Sequence, residues 1–268
     1  MEINVTYYLN SLWVLVAAVL VFIMQAGFAC CESGFSRSKN ACNIWLKNLL
    51  DFAIGAIVFY LIGFGIMYGD DWNGLIGING FFNPFDQNLQ IWQTYDGLLS
   101  PQVFLLFQTM FCATTATIIS GAVAERFKLN IYLIVSVAMT GLIYPVVGHW
   151  VWGGGWLYQL GFVDFAGSGV VHGIGGIAAC MGAIMVGPRI GKYSAGGTSH
   201  AIPGHNIPMA MLGGFLLWIG WYGFNPGSEL AFDDTTIYTA ITTTLAAGAG
   251  GLAGLFTTWI RYKKPDPT

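Results

Sequence analysis

What this sequence has little of is charge. Charged residues make up 9% of its 268 positions, against 55% hydrophobic and 15% aromatic. A water-soluble domain carries about 25% charged residues. At 9% the charge cannot coat a water-facing surface, so the apolar residues must face lipid or one another. A cleavable leader is not expected either. Met1 to Asn10 holds no basic residue and carries Glu2, whereas a secretory signal needs a positive start, a short apolar stretch and a small-residue cleavage site. The long apolar stretch from Leu12 to Ala29 therefore reads as a retained first helix. No basic cluster interleaved with aromatics is present, which excludes nucleic acid as a partner. The five cysteines, Cys30, Cys31, Cys42, Cys112 and Cys180, lie in apolar runs or beside basic turns. That placement argues against a disulfide framework, and their spacing is not that of a zinc site. No metal or other cofactor is expected, and no enzymatic activity.

Seven stretches have the roughly 20 mainly apolar residues that a membrane helix needs. They are 11–31, 44–68, 102–123, 131–148, 169–186, 207–224 and 237–260. The second carries Lys47 and Asp51 near its start, so its apolar core is expected to begin about Phe52. None of these runs alternates polar and apolar residues as a membrane β-strand would. The expected fold class is an all-α integral membrane protein of about seven transmembrane helices, with residues 1–268 forming one membrane domain.

Charge sets the orientation. With seven spans, every Lys and Arg (37, 39, 47, 126, 128, 189, 192, 261, 263 and 264) falls on one side. Glu2, Asp70, Asp71, Asp86, Asp96, Asp164, Glu229, Asp233 and Asp234 fall on the other. Basic loops stay in the cytoplasm, which puts the N-terminus outside and the C-terminus inside a multi-pass protein of the cell (inner or plasma) membrane. The loop 69–101 is the longest. Its Gly, Asn, Asp and aromatic content suggests an ordered lid.

Several residues break the apolar rule. Gly169 and Gly173, and Gly250 and Gly254, are each four apart on one helix face, a spacing that favours close helix packing. His172 lies near the start of the fifth span, where a polar ring is costly unless it is paired or lines a cavity; both readings stand. His149 sits at a helix end beside Trp150 and reads as interfacial. Asp164, just before the fifth span, suits a helix cap and equally a group that stabilises an arriving cation. Trp152, in a glycine-rich turn, suits a headgroup-belt anchor or an indole face offered to a cation.

Other polytopic classes lack their signatures here. The last span holds no lysine for a retinal Schiff base. A single Asn225-Pro226-Gly227 stands where a water channel has paired Asn-Pro-Ala. His-Glu-x-x-His is absent, and no serine sits in a persuasive nucleophile turn.

Five motifs in order resemble the ammonium transporters of the Amt/Mep/Rh family. They are Phe107-Gln108-Thr109-Met110-Phe111-Cys112-Ala113-Thr114-Thr115, Gly121-Ala122-Val123-Ala124-Glu125-Arg126, the run from His149 through Trp152 to Gly155, the run from Asp164 to His172, and the run from Gly220 to Ser228. The resemblance covers nearly the whole chain. It implies a homotrimer in which each subunit holds its own narrow hydrophobic pore for ammonium or ammonia. By motif position Trp152 and Ser228, with Phe111 beside them, would form an outer recruitment site supported by Asp164. Phe111 and Phe224 would stack as the gate, and His172 would be the first of two pore histidines. A cytoplasmic regulatory protein is a candidate partner, with the lipid bilayer as the surrounding medium.

The family plan is eleven spans in two inverted halves. This sequence supplies about the first seven, offers no counterpart of the second pore histidine, and has Pro226 where a small residue is expected. A fragment of a longer gene is the favoured explanation. A truncated member and the membrane part of a sensor are the others. Residues 1–268 alone are expected not to conduct ammonium.

Overall fold

The computed structural model describes residues 4–266; Glu2 lies outside the described residues. Seven helices are long and apolar enough to cross a membrane: α1 (Val5–Phe35), α2 (Ser38–Tyr68), α3 (Pro101–Ala122), α4 (Leu129–Gln159), α5 (Ser168–Val186), α6 (Ile207–Gly227) and α7 (Asp234–Tyr262). Every expected stretch has its helix, and most helices run further than the apolar stretch alone. Caps explain part of the extension. The Asn4 side chain accepts the Tyr7 N–H at 3.1 Å, Asn206 that of Met209 at 3.0 Å, and Asp233 that of Thr236 at 3.1 Å, each satisfying an orphan donor of the first turn. Because α2 begins at Ser38, Lys47 and Asp51 lie inside it. Lys47 is 1% exposed, so the basic group that the sequence puts near the start of the second span and counts on the cytoplasmic side is buried.

Helix α3 is the centre of the bundle, with 83% of its apolar window buried against 6% for α7. It contacts α1, α2 and α5. Its polar residues survive burial because the hydroxyls of Thr109, Thr114 and Thr115 donate to the carbonyls of Leu105, Met110 and Phe111 one turn back, at 2.8, 2.8 and 3.1 Å. Three helices contain a wide π-type turn: Phe59–Gly63 in α2, Met139–Ile143 in α4 and Ser168–Gly173 in α5. Such turns cluster at functional sites, and the last of them carries His172.

The most extensive helix pair is α1 with α6. A Cβ placed on Gly213 would lie 2.6 Å from the Cys31 nitrogen and the Gly27 oxygen, and one on Gly34 would lie 2.6 Å from the Ala210 nitrogen. Among the described residues the small-residue contact expected at Gly250 and Gly254 is not made, since a Cβ on Gly250, Gly251 or Gly254 would meet nothing within 4 Å. A Gly213→Val change is therefore expected to destabilise the chain by about 1–3 kcal/mol through overpacking. Gly251→Val should stay within about 0.5 kcal/mol. Thermal unfolding of the two variants in detergent measures the contrast, and equal losses would deny that α1 and α6 meet through Gly213.

At the acidic end, the segment between α2 and α3 is ordered. Strands β1 (Asp71–Trp72) and β2 (Ile76–Gly77) pair antiparallel across a turn in which Asn73 and Gly74 have φ of 53° and 75°, the left-handed pair that a tight hairpin favours. Further on, Trp92 is buried and its indole N–H donates to the Pro84 carbonyl at 3.0 Å. The hairpin is fastened to the end of α4. Trp150 donates to the Leu75 carbonyl at 2.9 Å, and the Trp156 N–H to the Gly74 carbonyl at 2.9 Å. His149, read from sequence as interfacial, is fully buried. Its ring bridges the Met67 carbonyl and the Asp71 carboxylate, each at 2.9 Å.

Candidate functional site

Trp152, Phe111, Asp164 and Ser228 come from four separate segments and line one cavity of about 300 Å³. Phe111 is placed by the buried middle of α3. Trp152 ends the regular part of α4, just before Gly153 to Gly155, and its indole N–H donates to the Asp164 carbonyl at 2.7 Å. With the N–H engaged, the ring is what Trp152 has left to offer. Ser228 follows α6, and its hydroxyl donates to the Phe224 carbonyl at 2.7 Å. That bond uses the only hydroxyl hydrogen and leaves the oxygen free to accept.

Asp164 is a cap. One carboxylate oxygen accepts the N–H groups of Gly167 and Ser168 at 2.8 and 2.9 Å, the other those of Gly169 and Val170 at 2.8 and 2.9 Å. This fixes the first turn of α5, which begins after Gly167 in the left-handed region at φ 93°. The negative charge also sits where a helix N-terminus favours it.

Behind the cavity the aromatic rings are in series. Phe111 lies 6.1 Å from Trp152 at 67° and stacks on Phe224 at 4.0 Å and 19°. Phe224 in turn meets the His172 ring edge-on at 5.3 Å and 71°. Phe111 and Phe224 are each 1% exposed, while His172, next along the series, is exposed. All six residues marked in the sequence thus fall in one neighbourhood, in the order Trp152 with Ser228 and Asp164, then Phe111, Phe224 and His172.

Sequence reasoning missed Gln108. It lines the same cavity, is 6% exposed, and its side-chain oxygen is buried without a hydrogen-bond partner. The signal was a polar amide next to Phe107 inside an apolar span. Tyr95 also lines the cavity. Burial, and secondarily the nearby Tyr158, push its hydroxyl up to about 12, so it stays neutral. Glu229, next to Ser228, is raised above its ordinary value by burial and then by the charge of Asp233.

A family model described as Ammonium Transporter Family matches residues 12–268. This chain belongs to the ammonium transporter family. It is 45% identical to ammonium transporter Amt2 of Archaeoglobus fulgidus over 96% of its own length and 55% of that protein's. It is 41% identical to ammonium transporter 1 member 3 of Solanum lycopersicum, over 95% and 58% respectively. Among solved structures it resembles one described as Sensor Amt Protein, with a TM-score of 0.92 and 43% identity over 98% of this chain and 65% of that one. Candida albicans Mep2 follows at 0.87 and 29%, over 100% and 59%. The chain thus spans somewhat more than half the length of the curated relatives it matches. As a member of the ammonium transporter family with seven candidate spans, it is a multi-pass membrane protein, and its curated relatives are named as transporters rather than enzymes.

Proposed function

We propose that this chain forms the entrance, the gate and the first histidine of a path that moves ammonium or ammonia across the plasma membrane. The observation that carries this is the match between the cavity and a ligand with hydrogen-bond donors and no acceptor. Ser228 and Gln108 present oxygens with free lone pairs, and the remaining walls are largely aromatic. Ammonium donates N–H bonds to such oxygens, and its charge is attracted to the face of an indole or phenyl ring. In this reading the path beyond Phe111 and Phe224 is the narrow hydrophobic pore of the family, where an ion would lose several kcal/mol of hydration. Release of the proton before the stack removes that cost, and a neutral His172 can then exchange hydrogen bonds with ammonia. Potassium has no proton to release.

In this reading the acidic end faces outward and the basic end the cytoplasm, which the distribution of Lys and Arg supports. A homotrimer, and a regulatory protein on the cytoplasmic face, belong to the same proposal. A sensor is the second reading, favoured by the likeness to the Sensor Amt Protein; binding without flux would identify it.

The test is methylammonium binding followed by intrinsic tryptophan fluorescence of the chain in lipid nanodiscs. Ser228→Ala and Trp152→Leu are each expected to weaken binding about 5- to 30-fold, the equivalent of about 1–2 kcal/mol for one hydrogen bond to a charged donor or one cation–π contact. Potassium should fail to follow ammonium past the gate, whether or not it competes for the cavity. Unchanged affinity in both variants would return Trp152 to the role of a headgroup anchor and remove Ser228 from the site.

A further inference from the structure

The pore path leaves unused a second polar cluster, built on α1 and α2. Glu32 lies on α1, and Lys47 and Asp51 lie one helical turn apart on α2. Ser120 donates to one Glu32 oxygen at 2.7 Å, and the Asn48 amide approaches the same atom at 3.3 Å. The Tyr132 hydroxyl donates to Asp51. The Thr117 hydroxyl lies 3.3 Å from the same carboxylate, 2.7 Å from the Gln25 oxygen and 3.1 Å from the Ala113 carbonyl, three acceptors for one hydrogen. The Lys47 ammonium sits 5.3 Å from the centre of the Tyr132 ring. Asp51 is 0% exposed and Asn48 3%, yet among the described residues the other oxygen of Asp51 and the amide oxygen of Asn48 have no hydrogen-bond partner of normal geometry.

The cluster is therefore short of donors, and it is also unbalanced in charge. Two carboxylates lie in one region with one amine, and among the described residues no ion pair joins Lys47 to either. Helices α3 and α6, which pack against α1, contain no charged residue, and α4 contributes only the Tyr132 phenol. On the basic side Glu32 reaches a cavity of about 340 Å³ that it shares with Cys31, Ser36, Arg126 and Arg189. The Cys31 thiol there bonds the Ala210 carbonyl at 3.3 Å. The Arg126 guanidinium is taken by the Gly187 and Ala122 carbonyls, and that of Arg189 by Glu125 at 3.4 Å. A net negative charge buried among helices is costly. One proton would neutralise it and turn one surplus acceptor into a donor. A metal ion suits the site less, because Lys47 already places a cation there and the described residues hold no group of three or more acidic, His or Cys side chains able to bind one.

We propose that Glu32, Lys47 and Asp51 form a proton-binding site, separate from the pore, that takes up one proton from the cavity at the basic end. A hydronium ion in the cavity gives its proton to a carboxylate oxygen, a new O–H bond forms, water is left behind, and the site passes from one negative charge to none. The two carboxylates share the proton and titrate as a pair.

Isotope-edited infrared spectroscopy of the chain in lipid nanodiscs, with the carboxyl carbons of Asp and of Glu labelled in turn, counts protonated carboxyl groups directly. At neutral pH the wild type is expected to show one protonated carboxyl per chain from this cluster. Lys47→Met should raise the count to two, since the amine no longer balances a carboxylate. Asp51→Asn should lower it to none, since Glu32 and Lys47 then balance. A wild type with both carboxylates ionised overturns the proposal, as does a Lys47→Met count equal to the wild type's or a carboxyl band displaced by sodium at constant pH. The wild-type count decides the question even where a variant fails to fold.

Discussion

Replacing Asp164 by alanine is expected to lower the stability of the chain by about 2–4 kcal/mol, as several charge-assisted cap bonds are lost together. Its carboxylate accepts four successive backbone N–H groups, and an alanine leaves all four to water or to nothing. An asparagine keeps one oxygen in place, so about half of the loss should return. The split separates two roles. If Asp164 mainly caps α5, the melting temperature follows the order wild type, asparagine, alanine, and the asparagine variant keeps a methylammonium affinity close to that of the wild type. If its charge supports the cation from a distance, the asparagine variant should lose affinity as fully as the alanine variant while remaining the more stable of the two. The geometry favours the first outcome, because both carboxylate oxygens are already engaged. The Trp152 indole is held by the Asp164 carbonyl, a backbone atom that every variant retains. A melting curve unchanged by Asp164→Ala would remove the cap altogether.

The spans were legible because lipid demands a composition that water does not, and hydropathy records it directly. The site residues were legible for a different reason. His172, Trp152 and Asp164 stood out as polar or amphipathic groups where apolar ones were expected, but only the resemblance to known transporters brought Phe111, Phe224 and Ser228 to them. No local pattern says that a phenylalanine in α3 stacks on one in α6 at 4.0 Å.

What was not legible is equally specific. Lys47 was placed near the start of the second span and counted with the cytoplasmic charges because a lysine at a helix start most often reaches water, and nothing in the order of residues reveals that its ammonium lies against the Tyr132 ring of α4. The glycines at 250 and 254 had the right spacing and no partner, while Gly213 and Gly34 had the partner. Spacing fixes which residues share a face and says nothing about what meets it. Gln108 was passed over for a similar reason. An amide inside a span can be satisfied by any neighbouring helix, and only its partnerless oxygen in the cavity marks it.

At the opposite end from the cavity, Glu125→Ala is expected to destabilise the chain by about 2–4 kcal/mol, because it leaves two guanidinium groups without the acceptor they share. Glu125, whose side chain is fully buried, is met by the Arg37 guanidinium at 2.9 Å and that of Arg189 at 3.4 Å. It also accepts the Arg37 backbone N–H at 2.7 Å and the Asn40 amide at 3.1 Å. One carboxylate thus ties together the α1–α2 turn, the α3–α4 turn and the start of the α5–α6 loop. Burial pushes its ionisation upward, but the hydrogen bonds and charge of Arg37 together with the Asn40 bond outweigh it and hold the group down to about 2, against an ordinary value of 4.5. Because the folded value is the lower one, the stabilisation is complete above about pH 4.5 and disappears as the pH falls towards 2. Arg37 is 36% exposed, so solvent screens the pair, and the ionic share is about 1–2 kcal/mol rather than the full linkage figure. Glu125→Gln keeps the shape and gives up only that share. The melting difference between wild type and Glu125→Gln, measured between pH 7 and pH 3, should therefore narrow as the solution is acidified and should shrink in high salt. A difference that held constant across that range would mean that Glu125 acts through its size and hydrogen bonds, and that the three turns are not joined by charge.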